Sequence, residues 1–444
     1  MMKKPLLPPQ IPDIIRKLEA QNRLEEIFEL ARLQPFTGDY LHWDRLYHLR
    51  PPDGFTVEEW WLVIKLQRRG FLRQIPFKDK QGRSFQFLLP DVVQEQLHHI
   101  DMGAGGTIGI PEPIVNPQTR DQYYIKSLIQ EAVTSSQLEG AATTRKIAKE
   151  MIQTGRKPRD RSEQMILNNY MTMRRISELK SEPLTPVLVF EIHRLITEKT
   201  LDDHAAAGRL RRSDERRVVA DVKGNIYHDP PPADELPERM AAICAFANGE
   251  TPDYFIHPTI RAIILHFWLA YDHPFVDGNG RTARAIFYWA MLRQGFWLFE
   301  FISISSILLK APVKYALSFL YTETDDNDLT YFIVAQMEAI QKATRELHSY
   351  IDRKAQEVHE IETRMRILDR FNHRQAALIR HALKHPFQEY TVGSHRKSHN
   401  VVYETSRTDL LNLHQRGILE MKKRGKTIVF TVPRDLSDRL KRLE

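Results

Sequence analysis

One segment of twelve residues combines side chains suited to binding a phosphate group. It reads His273-Pro274-Phe275-Val276-Asp277-Gly278-Asn279-Gly280-Arg281-Thr282-Ala283-Arg284. The glycines predict a tight loop, because glycine tolerates positive φ and lets the backbone approach a ligand closely. A helix that opens at about Arg281 would point its free N–H groups at an anion. Arg281 and Arg284 are three residues apart, so we expect both guanidinium groups on one side of this helix.

The other polar side chains of the segment add a base and a metal ligand. His273 carries an imidazole, which is a proton acceptor near neutral pH. Asp277 offers a hard oxygen ligand of the kind that holds magnesium against phosphates. Two arginines above an N–H nest fit a polyphosphate better than a single carboxylate. Together these groups predict nucleotidyl or phosphoryl transfer, in which catalysis consists of positioning and charge stabilisation.

At every fixed position this segment resembles the signature of Fic-domain proteins, His-x-Phe-x-Asp/Glu-Gly-Asn-Gly-Arg-x-x-Arg. The resemblance runs from about residue 119 to 345 and implies a mainly α fold, a helical core with a β-hairpin flap. It implies a protein adenylyltransferase, which transfers AMP from ATP to a Ser, Thr or Tyr hydroxyl of a target protein, itself included. Removal of AMP, or transfer of UMP or another phosphate-linked group, stays open because related proteins catalyse these reactions with nearly the same loop.

The resemblance also assigns roles to individual residues. His273 would deprotonate the target hydroxyl, and Asp277 would hold Mg²⁺ between the α- and β-phosphates of ATP. The anion hole would consist of Gly278, Asn279 and Gly280. Arg281 would bind the phosphates, and Arg284 would grip the γ-phosphate.

A second family element lies upstream, an inhibitory helix at about 120–140 with the pattern Ser/Thr-x-x-x-Glu-Gly/Asn. Ser135-Ser136-Gln137-Leu138-Glu139-Gly140 fits this pattern, as in the subclass with an N-terminal inhibitor. The resemblance implies that Glu139 pairs with Arg284 and so removes the cation that the γ-phosphate needs. Without the family resemblance, the same residues predict only a helix that ends at Gly140, with Glu139 exposed.

Two further correspondences with the family are weaker. A hairpin at about Val218–Tyr227 occurs where the family has the flap that aligns a target segment by strand addition. Tyr315 falls where related proteins place a tyrosine against the adenosine, although it would serve equally well as a core residue. The asparagine that accompanies that tyrosine would fall at Thr322 or Glu323, and neither is an asparagine.

The last part of the chain has a separate pattern. Two amphipathic helices, HRQAALIRHALKH and TSRTDLLNLHQRG, precede a ribbon that turns at Arg424-Gly425, and this order resembles a winged helix-turn-helix domain. The segment from Phe371 to Arg434 has 12 Lys and Arg against 4 Asp and Glu, although the whole chain has a net charge of only +7. Such a domain would bind DNA, with the helix around 406–415 in a groove and the wing near phosphates, or would dock another protein. The basic residues of the wing are Lys422, Lys423, Arg424 and Lys426.

We therefore predict three regions: a mostly helical one at 1–110, a Fic domain at 111–362 and a winged-helix-like domain at 366–444. Glycines and prolines at 102–114 predict a linker between the first two. Trp43, Trp60 and Trp61 are expected in a core.

The lone cysteine, Cys244, excludes an intrachain disulfide. Because we find no signal peptide and no apolar run long enough to cross a membrane, we expect a cytoplasmic protein. Whether it forms a homodimer stays open.

Overall fold

The computed structural model describes residues 3–33, 39–104, 117–220, 223–385, 388–424, 427–433 and 435–441. These residues fold mainly into α-helices, as predicted, and include three small antiparallel sheets. The chain divides into two compact units, residues 1–348 and residues 349–444. Within the described ranges, no helix has the length and apolar character needed to span a bilayer.

The first unit begins with a helical region that contains one β-hairpin. Its elements are α1 (Ile11–Ala20), α2 (Leu24–Leu33), α3 (Trp43–Leu46), α4 (Val57–Arg69), β1 (Arg73–Lys78), β2 (Ser84–Phe87) and α5 (Asp91–Ala104). Trp43 and Trp61 are buried in the core of this region, and Trp60 packs against it, which confirms their predicted role. A capping box at Thr56 and Glu59 starts α4, because each side chain satisfies a backbone N–H of the other residue.

Residues 3–104 belong to the same compact unit as the helices that follow, rather than to the separate region that the sequence predicts. The hairpin packs its aromatic side chains on the central helices, with the Phe77 ring stacked on that of Trp268 at a centroid distance of 4.5 Å. The buried Arg68 donates to the Tyr331 hydroxyl at 2.8 Å. Of the predicted linker, residues 102–104 end α5, and residues 105–114 lie outside the described ranges.

Ten α-helices follow in the described part of the first unit, and the last of them continues into the second. They are α6 (Pro117–Leu138), α7 (Arg145–Thr154), α8 (Arg161–Leu179), α9 (Pro186–Thr197), α10 (Leu236–Ala247), α11 (Pro258–Asp272), α12 (Asn279–Arg293), α13 (Ile304–Lys310), α14 (Pro312–Thr324) and α15 (Thr330–Asp369). Helices α11 and α12 are buried along almost their whole length, so their apolar residues are not confined to one face. The twelve-residue motif links these two central helices.

A second hairpin forms the predicted flap. Strand β3 (Val219–Ala220) pairs with β4 (Ile226–His228), and Val219 lies opposite His228. The strands are short, and the side chains of Val219 and Ile226 are exposed. Residues 221 and 222 at the turn lie outside the described ranges.

The second unit contains more elements than the sequence predicts. These are α16 (His373–Lys384), β5 (Glu389–Thr391), α17 (Val392–His399), α18 (Tyr403–Gln415), β6 (Glu420–Arg424), β7 (Thr427–Thr431) and α19 (Leu436–Lys441), with strand order β5-β7-β6. The two predicted helices and the ribbon are present. Strand β5 and helix α17 were not predicted, because three residues and a polar octapeptide give no periodic signal.

Two details of this unit differ from the prediction. Helix α18 begins at Tyr403, two residues before the predicted start at Thr405. Ser406 is buried inside it and donates to the Val392 carbonyl at 3.1 Å. The boundary predicted between residues 362 and 366 falls inside α15. The unit has its own apolar core. A buried carboxylate, Asp409, accepts hydrogen bonds from Asn372 and Arg374, each at 2.8 Å.

Candidate active site

The loop between α11 and α12 is held by its own backbone and by one asparagine. His273 ends α11 with a positive φ of 46°, and Gly278 precedes α12 with a φ of 80°. Asn279 accepts from the Phe275 N–H at 2.9 Å and donates to the Phe275 carbonyl at 2.8 Å. Since its side chain is committed to the loop, only its backbone N–H is available to a ligand. The helix starts two residues before the predicted Arg281, and its first-turn N–H groups lack acceptors within the helix.

A histidine that the sequence analysis missed supports this loop from α9. The ring of His193 stacks on Phe275 with centroids 3.8 Å apart. Its Nδ1 accepts from the Gly208 N–H at 2.9 Å, so its Nε2 carries the proton and donates to the Asp277 carbonyl at 2.9 Å. Burial lowers the pKa of His193 to about 4, so the ring is neutral at pH 7. Nothing in the pattern of α9 separates this histidine from an ordinary core residue.

Arg211 also holds this loop. Its Nε donates to the His273 carbonyl at 2.9 Å, and its backbone N–H donates to the Pro274 carbonyl at 2.8 Å. The side chain also donates to the Pro231 carbonyl. The loop that carries His273 is therefore held by hydrogen bonds from two residues outside it, His193 and Arg211.

The imidazole of His273 is arranged as a proton acceptor. Its Nδ1 lies 3.3 Å from the Ala270 carbonyl, so Nδ1 is the protonated nitrogen and Nε2 keeps its lone pair. Burial lowers the pKa of His273 to about 4, and the nearby His228 acts in the same direction. The ring is therefore neutral at pH 7, which is the form that a general base requires.

Arg281 is the most enclosed charge at the site. Its Nη1 donates to the Ile196 carbonyl at 3.0 Å, and its Nη2 lies 3.8 Å from Asp277 Oδ1. Its Nε and Nη2 are buried without a hydrogen-bond partner among the described residues. Because buried donors are normally paired, these two atoms point to a ligand that carries oxygen acceptors.

The side chain of Arg284 bonds to Ser135 of helix α6 and to Glu139 just after it. Its Nε donates to Ser135 Oγ, and its Nη2 donates to the Ser135 carbonyl and to Glu139 Oε1, all at 2.9 Å. The ion pair that the family resemblance implies is therefore present, with the Arg284 side chain 4% exposed and that of Glu139 29% exposed. Gly140, with a φ of 91°, ends the segment as the alternative reading expects, but Glu139 is paired rather than free.

Glu139 also lies directly over the start of α12. A Cβ placed on Gly280 would lie 2.1 Å from Glu139 Oε1, so a larger residue at this position would displace the carboxylate. The N-terminus of a helix is a natural anion site. In this structure a carboxylate of the protein itself occupies the space in front of it.

Asp277 lies at the mouth of the site, with its side chain 40% exposed. One oxygen accepts from the Gly278 N–H at 2.5 Å, and the other lies 3.2 Å from Arg161 Nη2. No group of three or more His, Cys, Asp or Glu residues in the described ranges could hold a metal ion. A lone carboxylate fits magnesium that takes most of its ligands from phosphates and water.

Tyr315 lies behind Arg284. Its hydroxyl is 2.8 Å from His266 Nε2, and its ring packs edge-on against Phe319. Burial raises the pKa of Tyr315 to about 12. The two positions considered for the missing asparagine are engaged elsewhere, because Thr322 donates to the Ser318 carbonyl at 3.1 Å and Glu323 pairs with His228. The adenosine contact of Tyr315 stays a prediction.

Comparison with known proteins identifies the segment that contains this site. Residues 183–291 match the model of the Fic/DOC family. Protein adenylyltransferase Fic of Nematostella vectensis is 36% identical over 120 residues, which are 26% of this chain and 25% of that protein. Protein adenylyltransferase fic-1 of Caenorhabditis elegans is 32% identical over 111 residues, 24% of this chain and 19% of that protein. The chain thus spans about a quarter or less of the length of these relatives.

Solved structures give a broader but more distant similarity. A Fic family protein from Desulfovibrio desulfuricans G20 is 21% identical, with a TM-score of 0.49, over 77% of this chain and 94% of that chain. Fic-1 of C. elegans (residues 134–508) is 19% identical, with a TM-score of 0.46, over 59% of this chain and 72% of that chain. The family model and the sequence relatives are the findings that identify the domain, since the matched residues include the whole motif from His273 to Arg284. Residues 183–291 of this chain, which carry the site, therefore match the Fic/DOC family.

Proposed function

We propose that this protein is an adenylyltransferase, which transfers AMP from ATP to a Ser, Thr or Tyr hydroxyl of a target protein, itself included. The observation that carries the proposal is the pair of unpaired donors on the buried Arg281, beside a helix start and a neutral His273. Such a set binds a polyphosphate and accepts a proton. Relatives named protein adenylyltransferase match this same segment.

In the proposed reaction the target hydroxyl attacks the α-phosphorus of ATP. A bond forms between the hydroxyl oxygen and this phosphorus, and the bond from the phosphorus to the oxygen bridging the α- and β-phosphates breaks. Pyrophosphate leaves, and the hydroxyl proton goes to Nε2 of His273. The N–H groups at the start of α12 and Arg281 would stabilise the charge that develops on the α-phosphate. Magnesium, held by Asp277, would neutralise charge on the phosphates.

We further propose that Glu139 keeps the enzyme inactive. Its carboxylate neutralises Arg284 at 2.9 Å and covers Gly280, so a γ-phosphate would meet a negative charge where it needs a positive one. Removal of this carboxylate would free the guanidinium of Arg284 for the nucleotide.

Contacts between α6 and α12 hold Glu139 in this position. Glu131 is buried and accepts from Tyr288 at 2.9 Å and from Ser303 at 2.8 Å. Glu131, Ser135 and Glu139 are spaced four residues apart, about one helical turn. Glu131 accepts from Tyr288, Ser135 accepts from Arg284, and Glu139 lies over the start of α12. These three polar contacts, which we call the ladder, fix the position of α6 along α12, because a shift of one helix along the other would break each of them.

Replacing Glu131 should therefore release the inhibitory segment. We expect Glu131→Ala to raise self-labelling by about tenfold, because several buried donors lose their acceptor and the helix loosens. The measurement is the rate of incorporation of α-labelled ATP. Glu150→Ala on the exposed face of α7 is the control and should leave the rate unchanged. An unchanged rate in folded Glu131→Ala protein would show that this ladder does not hold Glu139.

The position of the label decides between AMP transfer and the alternatives. Protein activated by Glu139→Gly should take up label from α-labelled ATP and none from γ-labelled ATP, because the β- and γ-phosphates leave as pyrophosphate. Uptake from γ-labelled ATP would indicate phosphate transfer instead. Preferential uptake from α-labelled UTP would indicate UMP transfer. Loss of label from an AMP-modified protein would indicate a removal activity.

A second function is favoured by exposed basic side chains in residues 349–444. Arg396 and Lys397 lie exposed near the end of α17, and Lys422 and Lys423 lie exposed on β6. None of these four has a salt-bridge partner among the described residues. We propose that this unit binds duplex DNA through its phosphates. The order of its helices and strands suits a winged helix, in which α18 would face a groove.

From the lone cysteine, Cys244, we also propose that the protein works in a reducing compartment, the cytoplasm.

Gel shifts of the full chain at several salt concentrations test DNA binding. Lys422→Ala with Lys423→Ala should weaken binding to any duplex and lower the slope of log affinity against log salt by about two. Lys146→Ala with Lys149→Ala, two exposed lysines of α7, is the matched control. An absence of DNA binding at low salt would leave protein docking as the role of this unit.

A further inference from the structure

The flap hairpin ends at a histidine whose two ring nitrogens both form hydrogen bonds. His228 is the last residue of β4 and is 8% exposed. Its Nε2 lies 2.7 Å from the Tyr271 carbonyl, and its Nδ1 lies 2.8 Å from Glu323 Oε2. A carbonyl and a carboxylate only accept hydrogen bonds, so both ring nitrogens carry protons and the imidazole is positively charged.

The charges around His228 are consistent with this protonation state. Burial is the largest single effect and lowers the pKa of His228, but the hydrogen bond with Glu323, the charge of Glu323 and the bond to the Tyr271 carbonyl together raise that pKa above its ordinary value. Lys80, from the hairpin of β1 and β2, acts in the opposite direction to Glu323. Asp272 and His273 follow Tyr271 in the chain, and the charge of His228 in turn lowers the pKa of His273.

These contacts join three parts of the first unit at one point. His228 belongs to the flap, Glu323 belongs to α14, and Tyr271 lies two residues before His273. The Arg211 side chain reinforces the connection, because it bonds both the His273 carbonyl and the Pro231 carbonyl just after the flap. The position of the flap strand is thus tied to the position of the proposed catalytic base.

We propose that His228 and Glu323 are positioning residues, a charged pair that clamps the flap to the segment carrying His273. The inference rests on the proposed function, because a target segment laid along the flap would present its hydroxyl to His273 only if the two are held in one register. The clamp does not contact Arg281, Arg284 or the start of α12, so the binding of ATP should not depend on it. Its effect should appear in the transfer step.

The test compares variants in the Glu139→Gly background. At saturating ATP, Glu323→Ala should lower the rate of self-labelling by about 10- to 100-fold, the scale expected for misplaced reacting groups, while the KM for ATP changes by less than about twofold. Glu323→Gln should recover most of the rate, because its amide oxygen can accept the same bond from His228. The matched control is Asp101→Ala, which removes the acid of another histidine pair, His257 and Asp101 at 3.0 Å, and should have no effect.

A second measurement does not depend on the reaction. Hydrogen exchange of the flap amides should speed up about tenfold in Glu323→Ala protein and stay at the parent rate in Asp101→Ala protein. If the Glu139→Gly parent transfers nothing, the proposed function fails, yet hydrogen exchange still decides whether the pair holds the flap. Unchanged exchange in Glu323→Ala protein, or a loss confined to ATP affinity, would overturn the clamp.

Discussion

Glu139→Gly should turn a nearly silent protein into one that labels itself strongly with α-labelled ATP. The substitution removes the carboxylate 2.9 Å from Arg284 and clears the space above Gly280. Because Arg284 would then be free to bind the γ-phosphate, we expect a gain of about 100-fold in the initial rate, which corresponds to about 3 kcal/mol of the barrier. Glycine at this position does not strain the backbone, because the residue lies after the last residue of α6.

The control for this gain is Glu182→Gly, which removes an exposed carboxylate from another turn after a helix. It should leave the rate at the level of the unmodified protein. Glu139→Gln should give an intermediate rate, since it loses the charge but keeps the bulk over the helix start. If Glu139→Gly protein labels neither itself nor any protein of a lysate, the proposed activity is wrong.

His273→Ala in the Glu139→Gly background should abolish the labelling that Glu139→Gly creates. General-base catalysis contributes about 10²- to 10⁴-fold, and the burial that lowers the pKa of His273 to about 4 keeps its ring neutral at pH 7. We therefore expect a loss of at least about 100-fold in the transfer rate. Binding of ATP should persist, because the ligand would be held by Arg281, Arg284 and the start of α12.

His204→Ala serves as the control, because His204 is an exposed histidine of the same unit. It should match the Glu139→Gly parent. Equilibrium binding of ATP separates the two ways in which His273→Ala could act. A lost rate with retained ATP affinity supports the role of base, whereas a full labelling rate in His273→Ala protein would remove His273 from the mechanism.

Much of the site was predictable from the sequence because its residues are contiguous. His273, Asp277 and the glycines lie within one loop, and spacing alone put the two arginines in the first turns of one helix. The pairing of Glu139 with Arg284 joins residues 145 positions apart, and only the family resemblance pointed to it. The prediction that both guanidinium groups share one side was too simple. Arg281 donates to the Ile196 carbonyl at the end of α9, whereas Arg284 donates to Ser135 of α6.

The supporting residues were not predictable, for a physical reason. His193 and His228 lie on a helix and a strand whose patterns look ordinary, and their roles depend on hydrogen bonds to distant backbone carbonyls. Glu131 likewise looks like any acid of an amphipathic helix until its four acceptor contacts are seen. Periodicity reports which face of an element is buried, but it does not report which polar group that face meets.

Intact-mass spectrometry of Glu139→Gly protein incubated with ATP and magnesium tests the central claim most directly. The account predicts an added mass equal to one AMP less one water, located on a hydroxyl side chain and missing when His273→Ala is also present. An added mass of one phosphate, or an AMP adduct that persists without His273, would contradict it.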